Sequence, residues 1–396
     1  MSNGAPVGDG ATTPAGSFPL EFSAGEMERR RAALAACMER AGVERVVLYG
    51  SDKSGNAVQW LTQWPVTREA AVVWAPGEEA LLLVQYANHV PNAGRLARGS
   101  EVRWGGLSTV ETLAQSLAGL GAARARVGVV GPLPARAQAR LAAAVGELVR
   151  MDPAYQELRL VKSDEEMEWL RVGAGLTDLA VGRMAEEARV GLSEMELGAL
   201  LEGAYLGLGG TNHIHYLGVT SMADPSVCVP AQWPSPRRLR PGDVLSCEVS
   251  ASWWGYTGQL LRTFTVETGP NPLYRELHDV ASAAFEAVSA RVRAGVTGAE
   301  LAEAARLIGE AGFGTCDDIV HGYGGGYLPP VVPGGNRPAA DEGFVLEPGM
   351  TVVVQPNVVT LDARAGVQTG ELLAVTETGS EPLHHFPRGL GRVAPA

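Results

Sequence analysis

The stretch Cys247–Phe264, CEVSASWWGYTGQLLRTF, decides the fold of this chain. Two segments rich in β-forming residues flank WWGY, in which Gly255 permits a tight turn, so the stretch predicts a β-hairpin. The arms carry Glu248 and Gln259, and we expect these two side chains to lie opposite each other on one face of the sheet. A glutamate facing a glutamine predicts either a direct hydrogen bond in an ordinary sheet or part of a ligand or metal site.

Length and composition predict a folded, acidic protein of two domains. The chain has 396 residues, which is more than a domain with a single hydrophobic core usually contains, since such cores stop growing at roughly 250 to 300 residues. The formal net charge of -12 repels phosphate groups, so neither nucleic acid nor an anionic membrane is expected as a partner. The sequence has no long apolar run and no signal peptide pattern, which predicts a cytoplasmic protein. Its 4 cysteines form no CxxC pair, so neither a disulfide framework nor a structural zinc site is expected.

The chain divides by pattern into a tail and two α/β domains. Residues 1–20 lack periodicity and predict a flexible tail. Residues 21–158 begin with an amphipathic helix and continue with three short apolar strands and a helical stretch, AQARLAAAVGELVRM. Residues 159–396 form the second domain, whose first helix is predicted from the capping box that begins at Ser163.

The second domain contains a short sequence pattern that occurs twice. The pattern R-x-G-x-[ST]-x-x-E-L occurs at residues 189–197 and again at 293–301. Each copy predicts a helix that ends at a glycine and a new helix that is capped by Ser or Thr. The pattern alone is also typical of an ordinary joint between helices. Since a strand-rich segment follows both copies, we predict two related α/β halves with a site between them.

Several polar residues fall where chemistry is expected. His321 precedes a run of glycines, and Gln355 follows three valines of a predicted buried strand, so its amide needs a partner. His213 and His215 alternate in a predicted strand and would project from one face. They predict a replacement general base or, with Glu248 or His321, a single-metal site; the alternative is one exposed and one packed histidine.

The combined motifs resemble the pita-bread superfamily, which includes creatinase, Xaa-Pro peptidases and methionine aminopeptidases. They are LRPGD at 239–243, GY at 255–256, RTF at 262–264, HGYG at 321–324, LEPGM at 346–350 and VTETG at 375–379. LRLVKSDEEMEWLR at 158–171 is similar to the joint that follows a creatinase-type N-terminal domain. The resemblance covers residues 22–390 and implies an α/β fold with a creatinase-type N-terminal domain and a pita-bread catalytic domain.

The resemblance also implies a metal site that this sequence has lost. The peptidases of the superfamily hold two metal ions with two Asp, one His and two Glu, which map here onto Glu248, Gln259, His321, Gln355 and Gly370. Neutral amides and a glycine cannot supply the negative charge that two divalent ions need. The position of a further catalytic His, near Gln232, is altered as well. We therefore expect no metal and no other cofactor.

Creatinase, which keeps the fold without metals, suggests the function. We predict a metal-independent hydrolase of an amide or amidine C–N bond in a small polar, amino-acid-like substrate, with Glu248, His321 and His215 as catalytic residues. Substrate-binding residues are predicted to be Gln259, Gln355, Arg262, Tyr256, His213, Gln232 and Trp64. The alternatives are a single-metal hydrolase of Xaa-Pro peptidase type, a lyase with a rebuilt site, and a non-catalytic small-molecule binding protein.

The resemblance further implies a homodimer. In the superfamily, the N-terminal domain of one subunit commonly reaches the active site of the other. The stretch VQWLTQW, Val58–Trp64, resembles that contribution, which is why Trp64 is included among the substrate-binding residues.

Overall fold

The computed structural model describes residues 21–52, 54, 56–334 and 344–393, so the predicted tail lies outside the described residues. The chain divides into two compact units, and the boundary lies between residues 161 and 162. None of the described helices is long and apolar enough to cross a membrane.

The N-terminal unit is a six-stranded sheet with helices. The strand order is β4-β3-β2-β1-β5-β6, in which β3–β4, β1–β5 and β5–β6 are parallel pairs and the others antiparallel. Its strands are β1 (Arg45–Ser51), β2 (Glu69–Trp74), β3 (Ala80–Val84), β4 (Ser100–Trp104), β5 (Arg126–Val130) and β6 (Glu147–Arg150). Its helices are α1 (Ala24–Ala41), α2 (Asn56–Thr62), α3 (Val90–Leu96), α4 (Thr109–Gly119), α5 (Ala135–Ala142) and α6 (Asp152–Glu157), with 3-10 turns at Ala87–His89 and Ala122–Arg124.

One predicted element of this unit is wrong in part. The sequence pattern predicts a helix throughout 137–151, but α5 ends at Ala142 and the residues from Glu147 to Arg150 form strand β6. Pairing with β5 at the sheet edge outweighs the helical pattern, because each residue of ELVR gains a cross-strand partner there.

The C-terminal unit is built on a ten-stranded sheet. Its main path runs β13-β12-β14-β16-β10-β8-β7 and is antiparallel throughout. The helices are α7 (Asp164–Glu187), α8 (Glu194–Tyr205), α9 (Pro272–Ser289), α10 (Gly298–Ala304) and α11 (Leu307–Glu310), with a 3-10 turn at Leu206–Leu208. The strands are β7 (Thr211–Ser221), β8 (Asp243–Trp253), β9 (Tyr256–Thr257), β10 (Leu260–Val266), β11 (Gly314–Thr315), β12 (Asp318–Gly322), β13 (Leu328–Pro333), β14 (Thr351–Val354), β15 (Val358–Val359), β16 (Gly370–Val375), β17 (Ser380–Pro382) and β18 (Gly391–Val393).

The strand order shows the two related halves. Two helices precede β7, β8 and β10 in the first half, and α9 and α10 precede β12, β14 and β16 in the second. The third strands of the two halves, β10 and β16, pair with each other at the centre of the path. The arrangement therefore brings side chains from both halves to the same sheet face.

The capping boxes predicted from the repeated R-x-G-x-[ST]-x-x-E-L pattern are present. Ser193 begins α8 and Thr297 begins α10, and each side chain accepts the N–H of a glutamate three residues on while that glutamate accepts the cap's own N–H. The preceding helices end at Glu187 and Ser289, several residues before the glycines at which they were expected to end.

The central hairpin forms with a register different from the expected one. Trp254 and Gly255 both have positive φ, 49° and 86°, which makes a two-residue turn of the type that favours hairpins. Since Trp253 pairs with Tyr256, Glu248 lies opposite Leu261 and not opposite Gln259. Gln259 is therefore the diagonal neighbour of Glu248, still within reach of its side chain.

Candidate active site

One face of the ten-stranded sheet collects the polar residues singled out by the sequence. Glu248 lies opposite Leu261, and Leu261 lies opposite Gly370. Extending the β14–β16 register by one residue places Gly370 opposite Gln355, and a Cβ on Gly370 would lie 2.9 Å from the Gln355 Cα. Residues opposite each other in a ladder point to the same side of the sheet. Glu248 and Gln355 thus share a face.

Two further residues join this face by alternation along their strands. The carbonyl of Ile319 accepts the Gln355 N–H at 2.8 Å, and His321 lies two residues beyond Ile319. Gln259 lies two residues before Leu261. We call the side of the sheet that carries Glu248, Gln259, His321, Gln355 and Gly370 the Glu248 face.

The surroundings of Glu248 bring the pKa of its carboxyl close to neutral pH. Gln259 Nε2 donates to Glu248 Oε1 at 2.5 Å. Burial, reinforced by the negative charge of Asp317 and opposed by the Gln259 bond, raises the pKa of Glu248 to about 7. A carboxyl with such a pKa exchanges protons readily at physiological pH.

His321 is buried and neutral. Burial lowers its pKa below the usual value of 6.5, while the carbonyl of Gly322 acts in the opposite direction. The contact of 3.2 Å between Nδ1 and that carbonyl fixes the hydrogen on Nδ1, so Nε2 carries the lone pair. Tyr327 stacks on the ring with 4.3 Å between centroids and Tyr323 meets it edge-on at 5.4 Å.

The donors of the Glu248 face do not fit two divalent cations. Gln259 and Gln355 are neutral amides and Gly370 has no side chain, which leaves one carboxylate and one imidazole. Within the described ranges, no group of three or more His, Cys, Asp or Glu is placed to hold a metal ion.

Gly370 cannot regain a side chain without cost. A Cβ there would lie 2.5 Å from the carbonyl oxygen of Val354, which is fixed in the sheet. We expect Gly370→Ala to lower the free energy of unfolding by about 1 to 3 kcal/mol, because backbone must shift. Gly175→Ala is the control, since nothing lies within 4 Å of a Cβ at that position of α7, and it should stabilise by about 0.5 to 1 kcal/mol. Urea unfolding measures both; equal effects would contradict the packing argument.

The prediction that His213 and His215 share a face is wrong. The β7–β8 ladder shifts register between Asn212 and Ile214, so His213 is the extra residue of a bulge and normal alternation fails there. His213 approaches Tyr323, with 6.0 Å between ring centroids. His215 instead lies against α8, where its Nε2 is 3.1 Å from the hydroxyl of Tyr205. Burial lowers the pKa of His215 to about 4. Because Tyr216 and not His215 lies opposite Glu248, neither the catalytic role of His215 nor the paired metal site is supported.

Arg262 is a structural residue and not a substrate ligand. Its guanidinium makes five hydrogen bonds, to Glu371 Oε2 at 2.8 Å and to the carbonyl oxygens of Leu261, Gly370, Phe386 and Pro387. All five N–H groups of an arginine are thereby used. Neither side chain of the Arg262–Glu371 pair is exposed beyond 4%.

Three other predicted substrate residues lie elsewhere. The Tyr256 hydroxyl donates to Glu166 at 2.8 Å and its ring packs on Trp169, so it supports α7. Trp64 is buried in the core of the N-terminal unit, which contradicts a surface role toward another subunit. Gln232 is exposed in the loop after β7. The homodimer and the cytoplasmic location stay predictions.

Sequence patterns missed several residues that shape the site. Asp317 accepts from Asn357 at 2.7 Å and acts electrostatically on Glu248. The Tyr323 hydroxyl reaches Ser250 at 3.3 Å. Only the mapped pairing of distant strands reveals these contacts, so no local signal points to them.

His384 anchors the backbone beside Glu248. Its Nε2 accepts the Gln259 N–H at 3.1 Å, and its Nδ1 lies 2.8 Å from Asp178 Oδ1 on α7. Because Nε2 accepts, the hydrogen lies on Nδ1 and is donated to Asp178. This pair fixes the position from which Gln259 reaches the carboxyl.

Comparison with known proteins agrees with this architecture. The model of metallopeptidase family M24 matches residues 168–377, just over half of the chain. The chain is 26% identical to an Xaa-Pro dipeptidase of Pyrococcus furiosus over 62% of its own length and 69% of the relative. It is 28% identical to a probable dipeptidase PepE of Mycobacterium bovis, over 68% and 71%.

Solved structures match more than nine tenths of the chain. An Xaa-Pro dipeptidase from Bacillus anthracis has a TM-score of 0.78 at 22% identity, covering 92% of this chain and 99% of that one. Dipeptidase PepE from Mycobacterium ulcerans also has a TM-score of 0.78, at 23% identity, covering 94% and 100%. The fold is therefore the predicted N-terminal domain followed by a pita-bread domain. Given the match of its C-terminal unit, the chain belongs to metallopeptidase family M24, a family of hydrolases that act on C–N bonds.

Proposed function

We propose that the chain hydrolyses an amide-type C–N bond of a small amino-acid-like or peptide-like substrate on the Glu248 face. The observation that carries the proposal is the buried carboxyl of Glu248, whose pKa is raised to about 7, on the same face as the neutral His321. Catalytic acids and bases work best when their pKa lies near the operating pH.

The relative pKa values assign the base. The pKa of Glu248 is raised to about 7, whereas that of His321 is lowered below 6.5, so the Glu248 carboxylate is the stronger base. It takes a proton from water as the water oxygen bonds to the carbonyl carbon. The protonated carboxyl then gives that proton to the leaving nitrogen as the C–N bond breaks. His321 orients the water or the substrate through the lone pair on Nε2.

Metal dependence divides this proposal from a second candidate, a single-metal hydrolase of Xaa-Pro peptidase type. The comparisons favour the second candidate, because the relatives include Xaa-Pro dipeptidases and the family is one of metallopeptidases. The donors of the Glu248 face favour the first, because only Glu248 among them carries a negative charge.

Metal content separates the two candidates. Protein purified without a metal-affinity tag is measured by plasma mass spectrometry, and hydrolysis of Ala-Pro and of small carboxamides is followed with and without a chelator. We expect less than about 0.1 metal ion per chain and activity that the chelator leaves unchanged.

Two histidine variants sharpen the measurement. Near one metal ion per chain, lost in His321→Ala and kept in His215→Ala, would replace the proposal with the metal-dependent candidate. His215→Ala is the matched control because His215 lies against α8, away from the Glu248 face. Absence of hydrolysis for every substrate class would count against both candidates.

A further inference from the structure

Cys228 and Cys316 lie next to each other in the C-terminal unit. Cys228 belongs to the loop after β7, and Cys316 follows β11 directly. Their thiols are in hydrogen-bonding contact. Cys228 is half-buried and Cys316 is exposed, whereas the other two cysteines of the chain, Cys37 and Cys247, are buried. This pair of neighbouring thiols can therefore be reached from solvent.

The backbone holds the two cysteines near each other through one shared loop. The carbonyl oxygen of Cys228 would lie 2.1 Å from a Cβ on Gly366, so the two backbones are in direct contact. Gly366 also forms a bridge with Val359 of β15. Since β15 pairs with β11, and Cys316 follows β11, residues 358–366 contact the backbone on both sides. The proximity of the thiols thus follows from backbone pairing as well as from the side-chain contact.

The contact suits the formation of a disulfide. A disulfide requires two sulfur atoms about 2.05 Å apart, which thiols in hydrogen-bonding contact reach by a small rotation of the side chains. Because Cys316 is exposed, its side chain can rotate without displacing buried atoms. Burial is the main influence that raises the pKa of the Cys228 thiol. An oxidant from solvent therefore reaches Cys316 first, and Cys228 reacts second.

We propose that Cys228 and Cys316 form a reversible disulfide when the protein meets hydrogen peroxide. The Cys316 thiolate attacks one peroxide oxygen, the O–O bond breaks, and a sulfenic acid and hydroxide are formed. The Cys228 sulfur then bonds to the sulfur of Cys316 as the S–O bond breaks, and the oxygen leaves as water with the thiol proton of Cys228. Hydroxide takes up the proton that Cys316 released. The two thiols lose two electrons, and peroxide is reduced to two water molecules.

The disulfide would lie beside the Glu248 face. Asp317 follows Cys316 in the chain, its carboxylate accepts from Asn357 at 2.7 Å, and its negative charge acts on Glu248. A bridge at Cys316 therefore restrains the segment that carries this carboxylate. It also joins the two related halves of the C-terminal unit, since Cys228 belongs to the first half and Cys316 to the second.

Thiol counting by intact-mass spectrometry tests the proposal on the full chain. Reduced protein is treated with a small molar excess of hydrogen peroxide and is then unfolded in iodoacetamide, which alkylates every remaining thiol. We expect two of the 4 cysteines to be alkylated after peroxide and all of them after dithiothreitol. Tryptic mapping should find the peptide of Cys228 linked to the peptide of Cys316.

Variants identify the pair. Cys228→Ser and Cys316→Ser should each abolish the linked peptides. Cys37→Ala is the matched control, because Cys37 is buried in the N-terminal unit, and this variant should keep the link. Full alkylation after peroxide, an oxidised Cys316 without a link, or a link between two chains would each overturn the inference.

A second measurement asks whether the native fold accommodates the bridge. The oxidised protein should unfold at a higher urea concentration than the reduced protein, because the bridge closes a loop of roughly 90 residues and so restricts the unfolded chain. Unfolding at a lower urea concentration would show that closing the bridge distorts the fold, and it would overturn the inference even if the linked peptides were found. Neither result depends on the hydrolysis proposed above.

Discussion

Glu248→Gln is expected to lower kcat by roughly 10²- to 10⁴-fold, the contribution typical of a positioned general base. Glutamine keeps the size and the hydrogen bond to Gln259 but cannot take a proton from water. In the wild type, kcat/KM should rise with pH and reach half its maximum near 7, because the ionised form of Glu248 is active. Steady-state kinetics from pH 5 to 9 measure both effects.

The matched control is Glu202→Gln. Glu202 also lies near a histidine, 3.7 Å from His215 Nδ1, but on α8 with 42% of its side chain exposed. Its removal should leave kcat and the pH profile unchanged. A Glu248→Gln variant that keeps the wild-type rate, or a profile that falls through pH 7, would remove the base role from Glu248.

The same raised pKa makes stability depend on pH. In the folded chain Glu248 holds its proton up to a pH near its pKa of about 7, whereas in the unfolded chain it releases the proton near the usual glutamate pKa of 4.5. The folded state therefore binds more protons in this window, and the free energy of unfolding falls as pH rises from about 4.5 to about 7. The fall attributable to Glu248 is at most roughly 3 kcal/mol and should be absent in Glu248→Gln.

Arg262→Met is expected to destabilise the chain by about 3 to 5 kcal/mol, the cost of removing the buried partner of a buried charge. Glu371 is 2% exposed and, among the described residues, would keep the half-exposed Arg388 as its cationic neighbour, while four backbone carbonyls would lose a donor. Methionine retains the apolar stem, so the loss reports the guanidinium. Urea denaturation followed by circular dichroism measures it.

Arg388→Met provides the comparison. Arg388 donates to Glu371 Oε1 at 2.5 Å, but 54% of its side chain is exposed, so solvent already screens the pair. We expect at most about 1 kcal/mol for this variant. Comparable losses in the two variants would show that burial does not decide the strength of these ion pairs.

The sequence predicts the elements whose signals are local. Ser163, Ser193 and Thr297 begin helices through capping boxes that can be read three residues ahead. The central hairpin likewise follows from WWGY between β-forming segments. Glu248 and His321 were placed in one site through motif resemblance, and the register puts them on one face.

What the sequence could not predict depends on pairing between distant strands. The bulge that separates His213 from His215 arises where β7 meets β8, and no residue pattern within β7 marks it. From the sequence, Arg262 is predicted to bind substrate. The structure shows that its guanidinium is occupied by Glu371 and by the carbonyl of Pro387, and both partners lie more than 100 residues away in the sequence.

The short β10–β16 ladder, Leu260 with Glu371 and Leu261 with Gly370, has a consequence for aggregation. If the two halves of the C-terminal unit part there, two strand edges with unpaired N–H and C=O groups become available to another chain, the usual route to domain swapping and intermolecular sheets. The guanidinium of Arg262, on β10, crosses this junction and donates to the Gly370 carbonyl on β16 at 2.8 Å. Arg262 therefore holds β10 and β16 together, and we expect its loss to favour self-association as well as unfolding.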